Sequence, residues 1–306
     1  MDELSMLSHC RLCPRACGVN RLAGERGFCG VTGAEVLAAR AALHFWEEPC
    51  LSGDRGSGAV FFSGCTLRCC FCQNREISRG EAGAPVTVER LAEIFLELQQ
   101  KGAHNLNLVT PTHYVPQIIA ALKRAKAAGF SLPVVYNSSG YERVETLQLL
   151  AGLVDVYLPD MKYHSGTLAG RLSAASDYPE RALAALDEMV RQAGAPAFDS
   201  DGMMRRGVIV RHLALPGQGR DSRAVLKTLL SRYGGKIWLS IMNQYTPPPF
   251  ALDDEGLDRR LTRREYGRLI DYALRHGAEN AFIQEEGTAE ESFIPPFDLE
   301  GIGRQD

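Results

Sequence analysis

The chain has 306 residues, of which 45% are hydrophobic and 23% charged, and its net charge is −3. This is the composition of a globular protein with a sizeable core, and it excludes collagen-like and disordered classes. A near-neutral balance sets up no field that attracts phosphate backbones or anionic lipid, so nucleic acid is not an expected partner. No basic-then-apolar leader opens the sequence, and no apolar run reaches the roughly 18 residues of a membrane span. The chain therefore reads as cytoplasmic, where closely spaced cysteines signal metal or redox chemistry more often than disulfides.

In chain order, the cysteines come first. All nine lie between positions 10 and 72. Cys10, Cys13, Cys17 and Cys29 form a C-x2-C-x3-C-x11-C set within "CRLCPRACGVNRLAGERGFCG". Zinc, a second iron–sulfur cluster and plain reduced thiols are the readings of this set; its four possible ligands favour a metal, zinc or iron–sulfur. Arg11, Arg15, Arg21 and Arg26 crowd the same stretch and read as a solvated face. Residues 1–58 lack any strand–helix rhythm and are expected to form a small cysteine-rich metal-binding module.

From residue 59 the pattern changes. Apolar, β-rich runs occur at 59–64, 105–110, 133–138, 154–160, 207–215, 236–244 and 280–286. Between them lie stripes of helical period at 88–101, 116–128, 143–151, 180–193, 222–233 and 264–276. Thr87 is placed to cap the first of these, Gly102 to stop it, and Pro116 to open the second. Near-continuous apolar strands alternating with helices predict parallel strands buried on both faces. The expected fold is α/β, a TIM-like (β/α) barrel, partial or complete, over residues 59–306. Composition marks 194–202 and 245–256 as loops.

The stretch "SGCTLRCCFCQN" follows the first predicted strand, at the strand end where barrel enzymes place their chemistry. Cys65, Cys69 and Cys72 form C-x3-C-x2-C, three thiolates that would hold a [4Fe–4S] cluster with one iron left open. A zinc site that recruits a fourth ligand elsewhere is the structural alternative. Cys70 should diverge from Cys69, and Cys70 and Cys50 read as small core residues. Polar residues end the later strands: Asn107, Thr110, Asn137 to Ser139, Asp160, Lys162, Arg211, His212, Gln244 and Glu285. Of the histidines only His113 and His212 sit at this predicted rim, and no catalytic residue is singled out.

"CTLRCCFC" resembles the cysteine signature of the radical S-adenosylmethionine (SAM) superfamily, with Phe71 at its aromatic position. "FFSGCTLRCCFCQNREIS" is similar to the branch that activates glycyl radical enzymes. "CRLCPRACGVNR", "EEPCLSG", "LVTPTHYVPQI", "YNSSGYERVETL", "YLPDMKY" and "RHLALPG" together resemble the pyruvate formate-lyase activating enzyme-like proteins, over nearly the whole chain. The resemblance implies a partial barrel, a [4Fe–4S] cluster on Cys65, Cys69 and Cys72, and SAM at the open iron. It also implies reductive cleavage of SAM to a 5′-deoxyadenosyl radical that takes a hydrogen atom from a substrate. That substrate would be a glycyl radical enzyme or another protein, and the electron would come from an external one-electron donor. By the same resemblance Asp160 and Lys162 lie near the methionyl part of SAM, Arg211 meets its carboxylate, and Ser138 or Ser139 lies near the cofactor. The superfamily's Gly-Gly-Glu after the second strand is absent, and Asn107 is the nearest polar residue there. A non-catalytic metal-binding or electron-relay protein, or radical modification of a different substrate, is the competing expectation.

Overall fold

A computed structural model of the chain describes residues 3–248, 256–284 and 295–303. Glu285, the end of the 280–286 run and most of the 245–256 loop lie outside the described residues. The elements in order are β1 (Val36–His44), α1 (Pro49–Ser52), β2 (Ser57–Phe62), α2 (Arg75–Ser78), β3 (Ala84–Val86) and α3 (Val88–Gln100). Then come β4 (Leu106–Val109), α4 (Val115–Ala127), β5 (Val134–Ser138), α5 (Val144–Gln148), β6 (Val156–Pro159), α6 (Gly166–Ser173) and α7 (Tyr178–Ala193). The last are β7 (Ala197–Phe198), β8 (Met204–Leu213), α8 (Gly219–Tyr233), β9 (Trp238–Met242), α9 (Arg263–Arg275) and β10 (Ala281–Ile283).

Every residue of β2, β4, β5 and β6 is buried, as parallel strands covered on both faces require. These strands stand side by side in the order β10-β9-β8-β6-β5-β4-β2-β1-β3, with β2, β4, β5, β6, β8, β9 and β10 parallel. The described strands form an open path that ends at β10 and β3, a partial barrel. Leu108 sits between Val60 and Tyr136, and Tyr136 beside Tyr157, which fixes the register. Alternate side chains then take opposite faces. Leu106, Leu108, Val134 and Tyr136 pack outward on Leu91, Phe95, Ile118 and Leu122 of α3 and α4. Burying each such aliphatic side chain contributes about 1.5–3 kcal/mol. The Thr87 hydroxyl accepts from the Arg90 N–H and starts α3 at the expected place.

The inward face has a floor that pattern did not reveal. Val135, Val156, Leu158 and Ile209 pack against Cys50 and Leu51 of α1. Residues 36–44 pair antiparallel with β2, Ala42 opposite Ala59 and Leu43 opposite Gly58, and then with β3. The cysteine-rich segment thus supplies one strand of the sheet and the short helix that plugs the barrel. Among the described residues no helix is long and apolar enough to cross a membrane.

Candidate active site

The thiol loop leaves β2 through Ser63 and Gly64. Gly64 has φ +87°, and a Cβ there would lie 2.5 Å from Val31 Cγ1 and 2.9 Å from the Cys29 carbonyl oxygen. Only glycine allows this approach, which seats the N-terminal cysteine segment on the loop. Cys65 Sγ accepts the Leu67 N–H at 3.4 Å, and Cys69 Sγ accepts the Ser173 hydroxyl at 2.9 Å. Cys65 feels the charges of both Cys69 and Cys72, so the three thiols share one neighbourhood. Burial pushes the Cys69 thiol up to about 11 while the nearby Lys162 ammonium pulls it down. Burial, then Cys69 and Cys72, raise Cys65 as well. Free of metal, Cys65 and Cys69 stay protonated at neutral pH, and a bound cation takes the place of their protons. The charge of Cys70 acts on Tyr245 and Tyr163, and the Tyr245 ring packs edge-on to Phe71 at 6.0 Å.

Beside this loop the inward-facing polar residues of four strand ends join in one network. Asp160, just after β6, accepts from Lys162 Nζ at 2.6 Å and from Arg211 Nε at 3.2 Å. Arg211, on β8, also donates to Asn137 Oδ1 of β5 at 2.5 Å and to Glu47 Oε2 at 3.3 Å. Glu47 Oε1 in turn accepts from Asn107 of β4 at 3.0 Å and Asn137 at 3.2 Å. Burial would raise Asp160, yet Lys162 and Arg211 hold its carboxyl below the usual range. Burial would likewise lower Lys162, but the Asp160 carboxylate outweighs it and holds the ammonium above its ordinary value. Asp160, Lys162 and Arg211 therefore stand as a paired set of charges in a low-dielectric cleft. Gly140 (φ +75°) lets the β5 turn pass Asp160, since a Cβ there would fall 2.2 Å from the Asp160 carbonyl oxygen. A cavity of about 650 Å³ opens over the network, lined by Glu47, Glu48, Asn137 and Arg211 as well as Gln73 and Asn74 beyond Cys72.

The structure brings together Asn107, Asp160, Lys162 and Arg211 of the expected set. It turns Ser138 away: strand alternation puts it on the helix-facing side with Tyr136, where its hydroxyl accepts the Gly140 N–H at 3.2 Å. Ser139 offers its carbonyl to the Tyr178 hydroxyl at 2.8 Å. His113 and His212 are buried and face backbone carbonyls, of Ser63 at 2.9 Å and Met161 at 2.7 Å. Burial lowers both imidazoles below their ordinary value. Sequence reasoning missed Glu47 as a member of the site. Its one signal was the pair of adjacent acids in "EEPC", an acidic step before a helix-opening proline.

The N-terminal cysteines also share a neighbourhood. Cys13 feels Cys29, Cys10 and Cys17. Burial raises Cys13 to about 12 and raises Cys29, opposed by N–H groups two residues on, from Arg15 and Val31. Cys17 Sγ accepts the Phe28 N–H at 3.4 Å. Arg15 and Arg21 do not form a solvated face. Arg15 stacks 3.7 Å over the Phe28 ring and donates to the Thr66 and Ala174 carbonyls at 3.0 and 2.5 Å. Arg21 is fully buried, donates to the His113 carbonyl at 2.5 Å, and has no partner for Nε or Nη2 among the described residues. Carbonyls replaced the carboxylates that a surface arginine would seek.

As placed, no three His, Cys, Asp or Glu side chains among the described residues are gathered closely enough for a single metal ion. A four-iron cluster spreads its thiolates over separate irons and asks for no such common point. Soft thiol donors, N–H groups aimed at sulfur, and the cation of Lys162 beside Cys69 suit that group. An ion-paired cleft of opposite charges at the carboxyl ends of parallel strands suits a zwitterionic ligand. Fold and site together define a partial α/β barrel that carries a thiol loop beside an ion-paired cleft.

The sequence matches the family model of the Radical SAM superfamily over residues 59–227, more than half of its length. The chain belongs to the radical SAM superfamily, which implies a [4Fe–4S] cluster and SAM. It is 28% identical over 284 residues to the uncharacterized protein MJ0674 of Methanocaldococcus jannaschii, covering 90% of this chain and 77% of that protein. It is similar to Streptococcus suis SuiB bound to S-adenosylmethionine, with TM-score 0.49 and 14% identity over 73% of this chain and 49% of that one. It is similar as well to HydG, a maturase of the [FeFe]-hydrogenase, with TM-score 0.49 and 15% identity over 71% and 48%. The chain spans about half the length of these solved structures.

Proposed function

We propose that this protein is a radical SAM enzyme whose reaction is hydrogen-atom abstraction, with Cys65, Cys69 and Cys72 as ligands of the cluster. The observation that carries the proposal is Lys162, which ties the thiol loop to the ion-paired cleft through its reach to both Cys69 and Asp160. When bound, the cluster and SAM supply one-electron cleavage of the cofactor and hence hydrogen-atom abstraction. Arg211 offers a planar guanidinium to a carboxylate, Asp160 holds Arg211 and Lys162 in place, and the floor of Leu51, Val135, Val156 and Leu158 keeps water out from below. The finer reading, that the substrate is a glycine of a partner protein, rests on the motif resemblance. The exposed Trp46 and Ile283 on the cavity wall support it, as a dock for a macromolecule. An external one-electron donor completes the system.

The N-terminal cysteines form a second metal site in this reading. N–H groups two residues ahead serve Cys13 and Cys29 as they serve Cys65, and this shared device supports bound thiolates at both places. Iron, sulfide and zinc per chain decide between zinc and a second cluster. The main proposal is tested by the EPR spectrum of the anaerobically reconstituted and reduced protein. Added SAM should shift the signal of the cluster. A spectrum indifferent to SAM would leave a metal-binding or relay protein instead.

A further inference from the structure

The C-terminal turn of α6 docks directly on the thiol loop. The Leu172 carbonyl accepts the Cys70 N–H at 2.8 Å, and Arg15 of the N-terminal cysteine segment donates to the Ala174 carbonyl at 2.5 Å. Ser173 lies between these two residues and is completely buried. A buried serine late in a helix can return its hydroxyl to the carbonyl four residues back. Here that carbonyl, of Ala169, already accepts the N–H groups of Ala174 and Ala175. The Ser173 hydroxyl points instead to Cys69 Sγ at 2.9 Å, closer than the 3.4 Å from the Leu67 N–H to Cys65 Sγ. Behind Ser173 stands Tyr163, also completely buried, with its hydroxyl 2.6 Å from Ser173 Oγ. A serine hydroxyl has one hydrogen to give. Ser173 gives it to sulfur, so Tyr163 is the donor in the second bond. The two hydroxyls thus form one chain directed from Tyr163 through Ser173 to Cys69. The Tyr178 ring packs edge-on to Tyr163 at 5.5 Å and holds its plane. Hydrogen bonds aligned head to tail in a low-dielectric interior strengthen one another.

We propose that Tyr163 and Ser173 are positioning residues that raise the reduction potential of the cluster held by Cys69, so that a weaker electron donor can load it. The inference rests on the reading of Cys69 as a cluster ligand. The step concerned is the gain of one electron from a one-electron donor, dithionite in the assay below. No bond is formed or broken in it, and both hydroxyl protons stay on their oxygens. The added negative charge spreads onto the ligating sulfurs. A fixed O–H dipole aimed at one of them therefore stabilises the reduced state more than the oxidised one. Lys162 acts on the same sulfur through its charge, and it is left in place in every variant.

The test is an EPR-monitored redox titration of the anaerobically reconstituted protein without SAM. Wild type, Ser173→Ala, Tyr163→Phe and the double variant are compared at equal iron per chain, and Cys65→Ala, which lacks the barrel cluster, identifies its signal. At a fixed solution potential Ser173→Ala should lower the ratio of reduced to oxidised cluster by about tenfold, a shift of about 59 mV to lower potential for one electron. Tyr163→Phe removes only the distant hydroxyl and should lower the ratio by about two- to threefold. In the Ser173→Ala background it should change nothing, because the chain is already cut. A wild-type or higher potential in Ser173→Ala overturns the proposal. So does an equal effect of Tyr163→Phe with and without Ser173, which would make the tyrosine a packing element. If Ser173→Ala fails to hold iron, Tyr163→Phe decides alone: the smaller shift to lower potential supports the chain, and no shift overturns it. If Cys69→Ala keeps both the iron and the potential of wild type, Cys69 is not a ligand, and that reading falls along with the inference.

Discussion

The helix that plugs the barrel allows a quantitative test of the architecture. Leu51 is completely buried and packs on Val135, Val156, Leu158 and Ile209 from three different strands. Leu51→Ala removes three buried carbons. At about 0.8 kcal/mol each, the transfer term alone is about 2.4 kcal/mol. Strands held by neighbours on both sides cannot collapse into the void, so a cavity term adds to this, and the total should fall at about 3–4 kcal/mol. That is a large part of the roughly 5–15 kcal/mol that holds an ordinary domain together. Urea unfolding followed by far-UV circular dichroism reads the change as a lower midpoint at unchanged slope. Leu149→Ala is the control, since Leu149 is 41% exposed and its truncation should stay within about 0.5 kcal/mol. A loss below about 1 kcal/mol for Leu51→Ala would refute the packing of α1 inside the barrel.

Cys65→Ala should lose the iron of the barrel cluster, and Cys70→Ala should retain it; equal loss by iron analysis would sink the ligand assignment. Burial raises the carboxyl of Glu142 from 4.5 to about 7, against hydrogen bonds from Thr112, Ser138 and Tyr136. The folded state therefore binds this proton more tightly than the unfolded one. Stability from this group is full below about pH 4.5 and falls as pH rises through about 7, by up to about 3 kcal/mol. Glu142→Gln should flatten the melting temperature across that window. A variant with the same slope as wild type would show that Glu142 does not titrate there.

The barrel was legible because its strands carry little but apolar residues and its helices carry clear stripes. The run at 133–138 became Val134–Ser138, and the stripe at 88–101 became Val88–Gln100. The same property hid which side chains face the cleft. In a strand buried on both faces, period two no longer separates inside from outside, so Asn137 and Ser138 looked alike until the register was known. The strand Val36–His44 escaped because "VLAARAALH" is rich in alanine, which has weak strand preference, and pairing with β2 decided its state. Asp160, Lys162 and Arg211 came from motif resemblance. Glu47 could not come from local pattern, since its role depends on a contact with Arg211 across 164 positions.

That separation has a consequence for assembly. Closing so long a loop is entropically costly, and the contact cannot form until β8 has been made and has docked. The neighbouring strands β1 and β2 can pair locally from the outset, with the thiol loop directly behind them. The thiol loop is therefore in place before β8 docks and makes the cleft whole. During synthesis the thiol loop is available early, and the ion-paired cleft is one of the last parts of the molecule to form.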